Sequence, residues 1–257
     1  MLRRFLKPIS PPRKVDFIIC GTQKGGTTAL YQHLQAHPDL CLSRRKEVHF
    51  FDHPERFKNP AAAYRRYHRQ FRPKRPDQLL GEATPSYLYW PGSIQRMHQY
   101  NPALKPIVVL RNPIERAYSH WNMQRVKGVE PLSFSDAIRA EPDRVGQGDD
   151  YADRIFSYID RGRYAQQLRH LWEYFPKEQT LILRSEVLKN QPADTLAEVC
   201  SFLLINPLPH VEPINAHARP YTSPLADADR TYLASLYRQE IKDLEAELDW
   251  DCSDWLD

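Results

Sequence analysis

The sequence predicts an α/β fold of three layers, a P-loop-like arrangement with a central, mostly parallel β-sheet flanked by helices. Three observations carry that reading. Continuous apolar runs recur at 17–20, 105–110 and 179–185, the pattern of strands buried on both faces. Segments of helical period lie between them, and alternating strands and helices imply crossover connections and hence parallel pairing. The first run meets a glycine-rich turn, Gly21 to Gly26, and a helix opens at Thr27, Thr28, Ala29 and Leu30.

The elements follow in order. Residues 1–14, with Pro8, Pro11 and Pro12, read as an extended arm, and 15–257 as one domain. The first helix runs to about His37 and stops at Pro38. A short strand is expected at 39–42, and a helix over 59–71, where Ala63, Tyr64, Tyr67 and Phe71 keep helical spacing. The stretch 81–90, GEATPSYLYW, reads as a turn or short strand before a helix capped by Ser93. After the strand at 105–110, Pro113 starts a helix at its permitted first position. Residues 127–153 are polar and irregular, suited to a lid or acceptor loop rather than core. An amphipathic helix follows over 163–175, then the third strand and a helix opened by Pro192. The last helix, 227–248, places Leu233, Leu236, Tyr237, Ile241, Leu244 and Leu248 on one stripe, a packing face.

Composition narrows the function classes. No run approaches the roughly 18 apolar residues of a membrane span, and the start lacks an apolar signal core. No membrane span and a cytoplasmic location are therefore expected. Cys20, Cys41, Cys200 and Cys252 form no CxxC pair, so reduced thiols and no zinc site made from them are expected. The net charge is +4, but 17 Lys/Arg face 5 Asp/Glu through residue 75, against 3 and 10 from Thr222 onward. Such a basic half suits an anionic ligand. Arg65, Arg66, Arg69, Arg72, Lys74 and Arg75 read mostly as a solvated face. No nucleic-acid partner is expected, because no recognised module accompanies the charge.

The loop at 21–28 is an anion cradle. Glycines let backbone N–H groups approach a phosphate, and the helix N-terminus adds partial positive charge. It is not an NTPase P-loop, which needs Lys after the last glycine; here Thr27 follows Gly26, and Lys24 sits inside the turn. After the strand at 105–110 such an enzyme places an Asp for Mg²⁺, whereas this chain has Arg111, then Asn112 and Pro113. A guanidinium there suits bidentate contact with a phosphate, and Ser119, two turns along the next helix, would join it. Both segments sit at carboxyl ends of strands, where parallel sheets bind ligands. Glu47 and His49 alternate along an extended stretch and so share one side.

GTQKGGTTAL, KEVHFFD and VVLRNPIERAYSHW, in this order and spacing, resemble the sulfotransferases that use 3′-phosphoadenosine 5′-phosphosulfate (PAPS), nearest to the heparan sulfate glucosaminyl branch and its bacterial relatives. The resemblance spans nearly the whole chain. It implies PAPS as donor, PAP as product and a carbohydrate, lipid or small-metabolite acceptor with a free hydroxyl or amine. Matched by motif, Lys24, Gly25, Gly26, Thr27 and Thr28 would hold the 5′-phosphosulfate, and Arg111 and Ser119 the 3′-phosphate. Arg219 and Tyr221, in a late loop HARPY, would close over the nucleotide. Glu47 would be the catalytic base, with His49 orienting it or the acceptor, or sharing its role. Lys24 would neutralise charge on the bridging oxygen, and no metal would be required.

Other readings stay in view. His49 and His53 have a zinc-binding spacing when helical, but Pro54 and the adjacent Phe50–Phe51 pair disfavour a helix. The aromatics of SYLYW are core or groove wall, or a sugar-stacking platform. Heparan sulfate enzymes carry Lys where this chain has Ala83, so their acceptor is not carried over. The rival functions are a P-loop nucleotide kinase and a PAP- or PAPS-binding protein without catalysis.

Overall fold

The structure is a computed structural model that describes residues 13–208, 211 and 224–256. Most of the expected arm therefore lies outside the described residues, as do Arg219 and Tyr221. Five strands form one sheet: β1 (Phe17–Gly21), β2 (Leu40–Leu42), β3 (Leu79–Ala83), β4 (Lys105–Leu110) and β5 (Leu181–Arg184). They lie in the order β2-β3-β1-β4-β5, and every pairing is parallel.

Ten α-helices are found among the described residues. On either side of β2 lie α1 (Thr27–Gln35) and α2 (Pro60–His68), with α3 (Pro91–Tyr100) before β4. Between β4 and β5 come α4 (Pro113–Val126), α5 (Phe134–Arg144), α6 (Asp150–Phe156) and α7 (Tyr164–Trp172). After β5 come α8 (Ser185–Asn190), α9 (Pro192–Leu203) and α10 (Asp227–Leu248).

Alternation along β1 explains the three layers. Phe17 and Ile19 pack with Leu30, Leu34, Val109 and Val199 on one face. Ile18 and Cys20 pack with Tyr87, Val108, Leu110 and Ile114 on the other. Both faces are covered, so the strand reads as unbroken apolar sequence. Each such side chain contributes about 1.5–3 kcal/mol relative to exposure. The chain runs from β1 outward to β2 on one side, and from β4 outward to β5 on the other. The loops leaving β1 and β4 thus diverge, opening the crevice where open α/β sheets take their ligands.

Three local expectations are corrected. Ser93 does not cap α3: the helix starts at Pro91 with Trp90 at the cap position, and Ser93 is fully buried within its first turn. The 127–153 stretch is not an irregular loop. Ser133 caps α5 through the N–H of Asp136, and Phe134, Ala137 and Ile138 enter the core, because an apolar stripe of only three residues sufficed to dock it. On α10, Leu233, Tyr237, Ile241 and Leu244 are buried but Leu236 is exposed. At 3.6 residues per turn Leu236 falls about 100° from the centre of that stripe.

Candidate active site

The phosphate-type loop is built against the backbone of β4. Thr22 donates its N–H to the Val109 carbonyl at 3.1 Å, and Gly25 donates to the Thr22 carbonyl at 2.9 Å. A β-carbon at Gly25 would sit 2.3 Å from the Val109 oxygen, so only glycine passes there. Gly26 closes the turn at φ 100°, a left-handed conformation open to glycine. Lys24 takes φ 69°, at a cost of about 1–2 kcal/mol for an L-residue. No side chain caps α1 and no acid occupies its first turn, so its N-terminal partial charge is not neutralised from within. Buried Thr22 Oγ1 and Gln23 Oε1 lack hydrogen-bond partners among the described residues. A close-packed backbone cradle with orphaned polar atoms and an uncompensated helix N-terminus fits a phosphate-bearing ligand.

Arg111 follows β4 and meets this loop. Its Nη1 donates to the Lys24 carbonyl at 3.4 Å, while Tyr164 OH donates to the Arg111 carbonyl at 2.9 Å. Asn112 then caps α4, its Oδ1 accepting from the N–H groups of Ile114 at 2.9 Å and Glu115 at 3.3 Å, with Pro113 in the first turn. The Arg111 contact with Glu115 is long, 3.5 Å, because that carboxylate is held closer by Arg230 at 2.8 Å. Ser119 lies one turn beyond Glu115 on the same helix and is buried. Loop and guanidinium thus meet beyond the ends of β1 and β4, with Ser119 two turns along the helix that follows.

The KEVHFF segment forms a chain of charges. Glu47 Oε2 lies 3.2 Å from His49 Nε2, and His49 Nδ1 lies 2.7 Å from Asp52 Oδ2. Lys46 Nζ holds the other Glu47 oxygen at 3.1 Å. Ser86 Oγ donates to Asp52 at 2.9 Å, and Arg154 of α6 donates to the Asp52 carbonyl at 2.6 Å. Burial alone would raise the Glu47 carboxyl, but hydrogen bonds from His49 and Lys46 outweigh it and hold the group at about 2. Burial would lower His49, yet its two carboxylate partners lift it to about 9. Asp52, raised by burial but bonded to His49 and Ser86, is held at about 2. Both His49 nitrogens thus face carboxylates, an arrangement that favours the protonated ring.

A buried carboxyl anchors this segment to the sheet. Thr84, just beyond β3, accepts from the Val48 N–H at 3.0 Å and donates to Glu82 Oε2 at 2.7 Å. Tyr67 and Tyr87 donate to Glu82 Oε1 at 2.7 and 3.2 Å, and Tyr87 accepts from the Phe50 N–H at 2.7 Å. Burial raises Glu82 to about 7 against the pull of these hydroxyls. Thr84 N–H also donates to the Ile19 carbonyl at 3.1 Å. The Glu47 segment, the end of β3 and the loop after β1 therefore lie along one edge of the sheet.

A family of sulfotransferase domains matches residues 14–219. The chain belongs to that family. It is 36% identical over 190 residues to human heparan sulfate glucosamine 3-O-sulfotransferase 6, covering 72% of this chain and 51% of that protein. Human heparan sulfate glucosamine 3-O-sulfotransferase 3B1 is 33% identical over 187 residues, 72% of this chain and 45% of that protein. The chain thus spans about half the length of the curated relatives it matches. The sulfotransferase from Alicyclobacillus acidocaldarius superposes with a TM-score of 0.79 at 27% identity, covering 95% of this chain and 99% of that one.

Family motifs account for Lys24, Arg111 and Glu47, but four more residues meet at the site: Asp52, Thr84, Ser86 and Arg154. Asp52 closes the KEVHFFD motif, and its spacing three residues after His49 is the clue to their pairing. Thr84 and Ser86 sit in a segment that reads as a turn or short strand. Arg154 comes from a helix that the polar composition of 127–153 concealed. His53 pairs with Glu55 at 2.9 Å, and its neighbour Pro54 opens a short 3₁₀ turn, not the α-helix a His–x₃–His zinc pair needs.

Proposed function

We propose that the chain is a PAPS-dependent sulfotransferase that moves a sulfuryl group to a hydroxyl or amine of an acceptor. The observation that carries this reading is the contact of Arg111 with the Lys24 carbonyl, which joins two cationic segments into one crevice with the Glu47 segment on the same edge of the sheet. Lys24 and the residues Gly25, Gly26, Thr27 and Thr28 hold the 5′-phosphosulfate; Arg111 and Ser119 hold the 3′-phosphate. Arg219 and Tyr221 belong to this assignment by motif alone.

In the reaction the acceptor oxygen or nitrogen attacks sulfur while the sulfur–oxygen bond to the 5′-phosphate breaks, in line. The acceptor proton passes to Glu47, and PAP leaves with the electron pair on its phosphate oxygen. Glu47 is ionised at neutral pH and so able to accept; a carboxylate is a weak base for a free alcohol, and the transfer occurs as the new O–S bond forms. His49, charged and fixed by Asp52, orients the Glu47 carboxylate. Lys24 meets the charge growing on the bridging oxygen, an effect of the kind worth about 3–4 kcal/mol. Lysine, arginine and helix dipole supply the positive charge, and no metal is invoked.

The test is transfer from ³⁵S-labelled PAPS to a panel of carbohydrates, phenols, lipids and metabolites, with product mass as readout. Magnesium-independent transfer without ATP hydrolysis is expected. ATP hydrolysis instead would point to a kinase, and PAP binding without transfer to any acceptor would point to a nucleotide sensor.

A further inference from the structure

Glu82 is fully buried near the end of β3, and period-two alternation puts Thr84 on the same side of the chain. Among the described residues no lysine, arginine or histidine makes an ion pair with it; the hydroxyls of Thr84, Tyr67 and Tyr87 alone hold it. Two of those hydroxyls face the catalytic segment as well. Thr84 Oγ1 accepts from the N–H groups of Val48 at 3.0 Å and His49 at 3.4 Å, and Tyr87 OH accepts from the Phe50 N–H at 2.7 Å. An N–H can only donate, so each hydroxyl must accept from the backbone, and its single proton is left for Glu82. Three consecutive N–H groups of the KEVHFF segment thus depend on one buried carboxylate.

The backbone held this way is not relaxed. His49 takes φ 50°, the left-handed region that an L-residue enters at a cost, and such conformations persist where surrounding contacts over-determine them. Here those contacts are Thr84, Tyr87 and Arg56, whose guanidinium donates to the His49 carbonyl. With the chain so bent, one His49 ring nitrogen lies 3.2 Å from Glu47 and the other 2.7 Å from Asp52. We propose that Glu82 is a positioning residue for sulfuryl transfer: its negative charge turns the Thr84 and Tyr87 hydroxyls so that they fix His49 in its left-handed conformation and Glu47 toward the acceptor. The proposal rests on the reading of Glu47 as proton acceptor. A protonated Glu82 donates as well as accepts, which strands one buried hydroxyl proton and turns that hydroxyl from the backbone. Burial places Glu82 at about 7, so mild acidification removes the charge while the fold, by the same linkage, gains stability. The other groups facing Glu82 keep their charge state near neutrality. Asp52 is held at about 2, burial pushes Cys20 to about 12, and Tyr31, Tyr67, Tyr87 and Tyr100 all lie above their ordinary 10.

The experiment follows the amide ¹H shifts of Val48, His49 and Phe50 in the ¹⁵N-labelled free protein from about pH 5.5 to 8. PAP affinity and single-turnover transfer from ³⁵S-labelled PAPS to the acceptor panel are measured on the same samples. The three amides should move together with a midpoint near 7. Glu82→Gln, whose amide presents donors where the carboxylate presents none, should abolish that inflection and slow transfer by about tenfold or more with PAP still bound. Thr84→Val should slow transfer similarly, and Thr84→Ser should restore most of it. Tyr67→Phe withdraws a donor from the carboxylate but no contact from the segment, so it should move the midpoint upward with a smaller loss of transfer. His53, whose ring meets His49 edge-on at 6.3 Å, is present in every variant, so an inflection lost in Glu82→Gln belongs to Glu82. Amides that do not titrate near 7, an inflection that survives Glu82→Gln, or full transfer by Thr84→Val would each overturn the proposal. Should Glu82→Gln fail to bind PAP, Tyr67→Phe decides, and an unmoved midpoint there overturns it. Wild-type transfer to no acceptor, with the three amides titrating together, would count against the sulfotransferase reading alone.

Discussion

The guanidinium of Arg111 lies against the main-chain carbonyl of Lys24, 3.4 Å from Nη1, although 86 residues separate them in the chain. That contact follows from topology: β1 and β4 are neighbours, and the loops leaving them part at the centre of the sheet. A nucleotide bearing two phosphate groups across the crevice would meet a cationic segment at each. Arg111→Ala should therefore weaken PAP by about 10–100-fold, the worth of one or two charge-assisted hydrogen bonds. Adenosine 5′-phosphosulfate, which lacks the 3′-phosphate, should lose much less. Calorimetry with both ligands checks this, and equal losses would remove Arg111 as a 3′-phosphate contact.

Glu47→Gln keeps the shape of the side chain but cannot accept a proton. Turnover should fall by about 10²–10⁴ while PAP affinity changes little. Single-turnover transfer of labelled sulfate is the measurement. A variant that transfers at the wild-type rate would show that the proton goes elsewhere.

The Asp52–His49–Glu47 chain should have a defined pH window. His49 is raised from 6.5 to about 9, so its stabilising contribution is full below its ordinary value and lost as pH rises through about 9. Glu47 and Asp52 are depressed to about 2, so theirs is full above 4.5 and 3.8 and lost as pH falls toward 2. An NMR titration of the His49 ring should give a midpoint near 9, and Asp52→Asn, which removes one of its two carboxylate partners, should lower that midpoint. A midpoint already near 6.5 in the wild type would dissolve the proposed chain.

Glu82 runs the opposite way. Its folded value, about 7, exceeds the ordinary 4.5, so between these pH values the folded protein keeps a proton that the unfolded chain has released. Stability should thus decline by about 3 kcal/mol as pH rises across that interval. Glu82→Gln should flatten the slope in denaturant titrations at pH 5 and 7.5. An equally steep variant would assign the slope to another group.

Much of this was legible in sequence because local chemistry and global fold agreed. The apolar runs became β1, β4 and β5, and Pro113 opened α4 where expected, since nothing in the tertiary context competed with those signals. Lys24, Arg111 and Glu47 were visible as motif residues. The failures have a common cause. α5 was missed because its apolar stripe is only Phe134, Ala137 and Ile138, and its fourth buried position is a carboxylate, Glu141, satisfied by the Ile159 and Asp160 N–H groups. Asp52, Thr84 and Arg154 join the site only through folding: Arg154 reaches Asp52 across 102 positions.

The most direct test is a calorimetric titration of the wild-type protein with PAP in the presence of a chelator. One saturable site with favourable heat, lost when Lys24 and Arg111 are both replaced by alanine, is the expected result. An absence of any heat of binding, or unchanged binding in the double variant, would contradict a nucleotide held between these two residues.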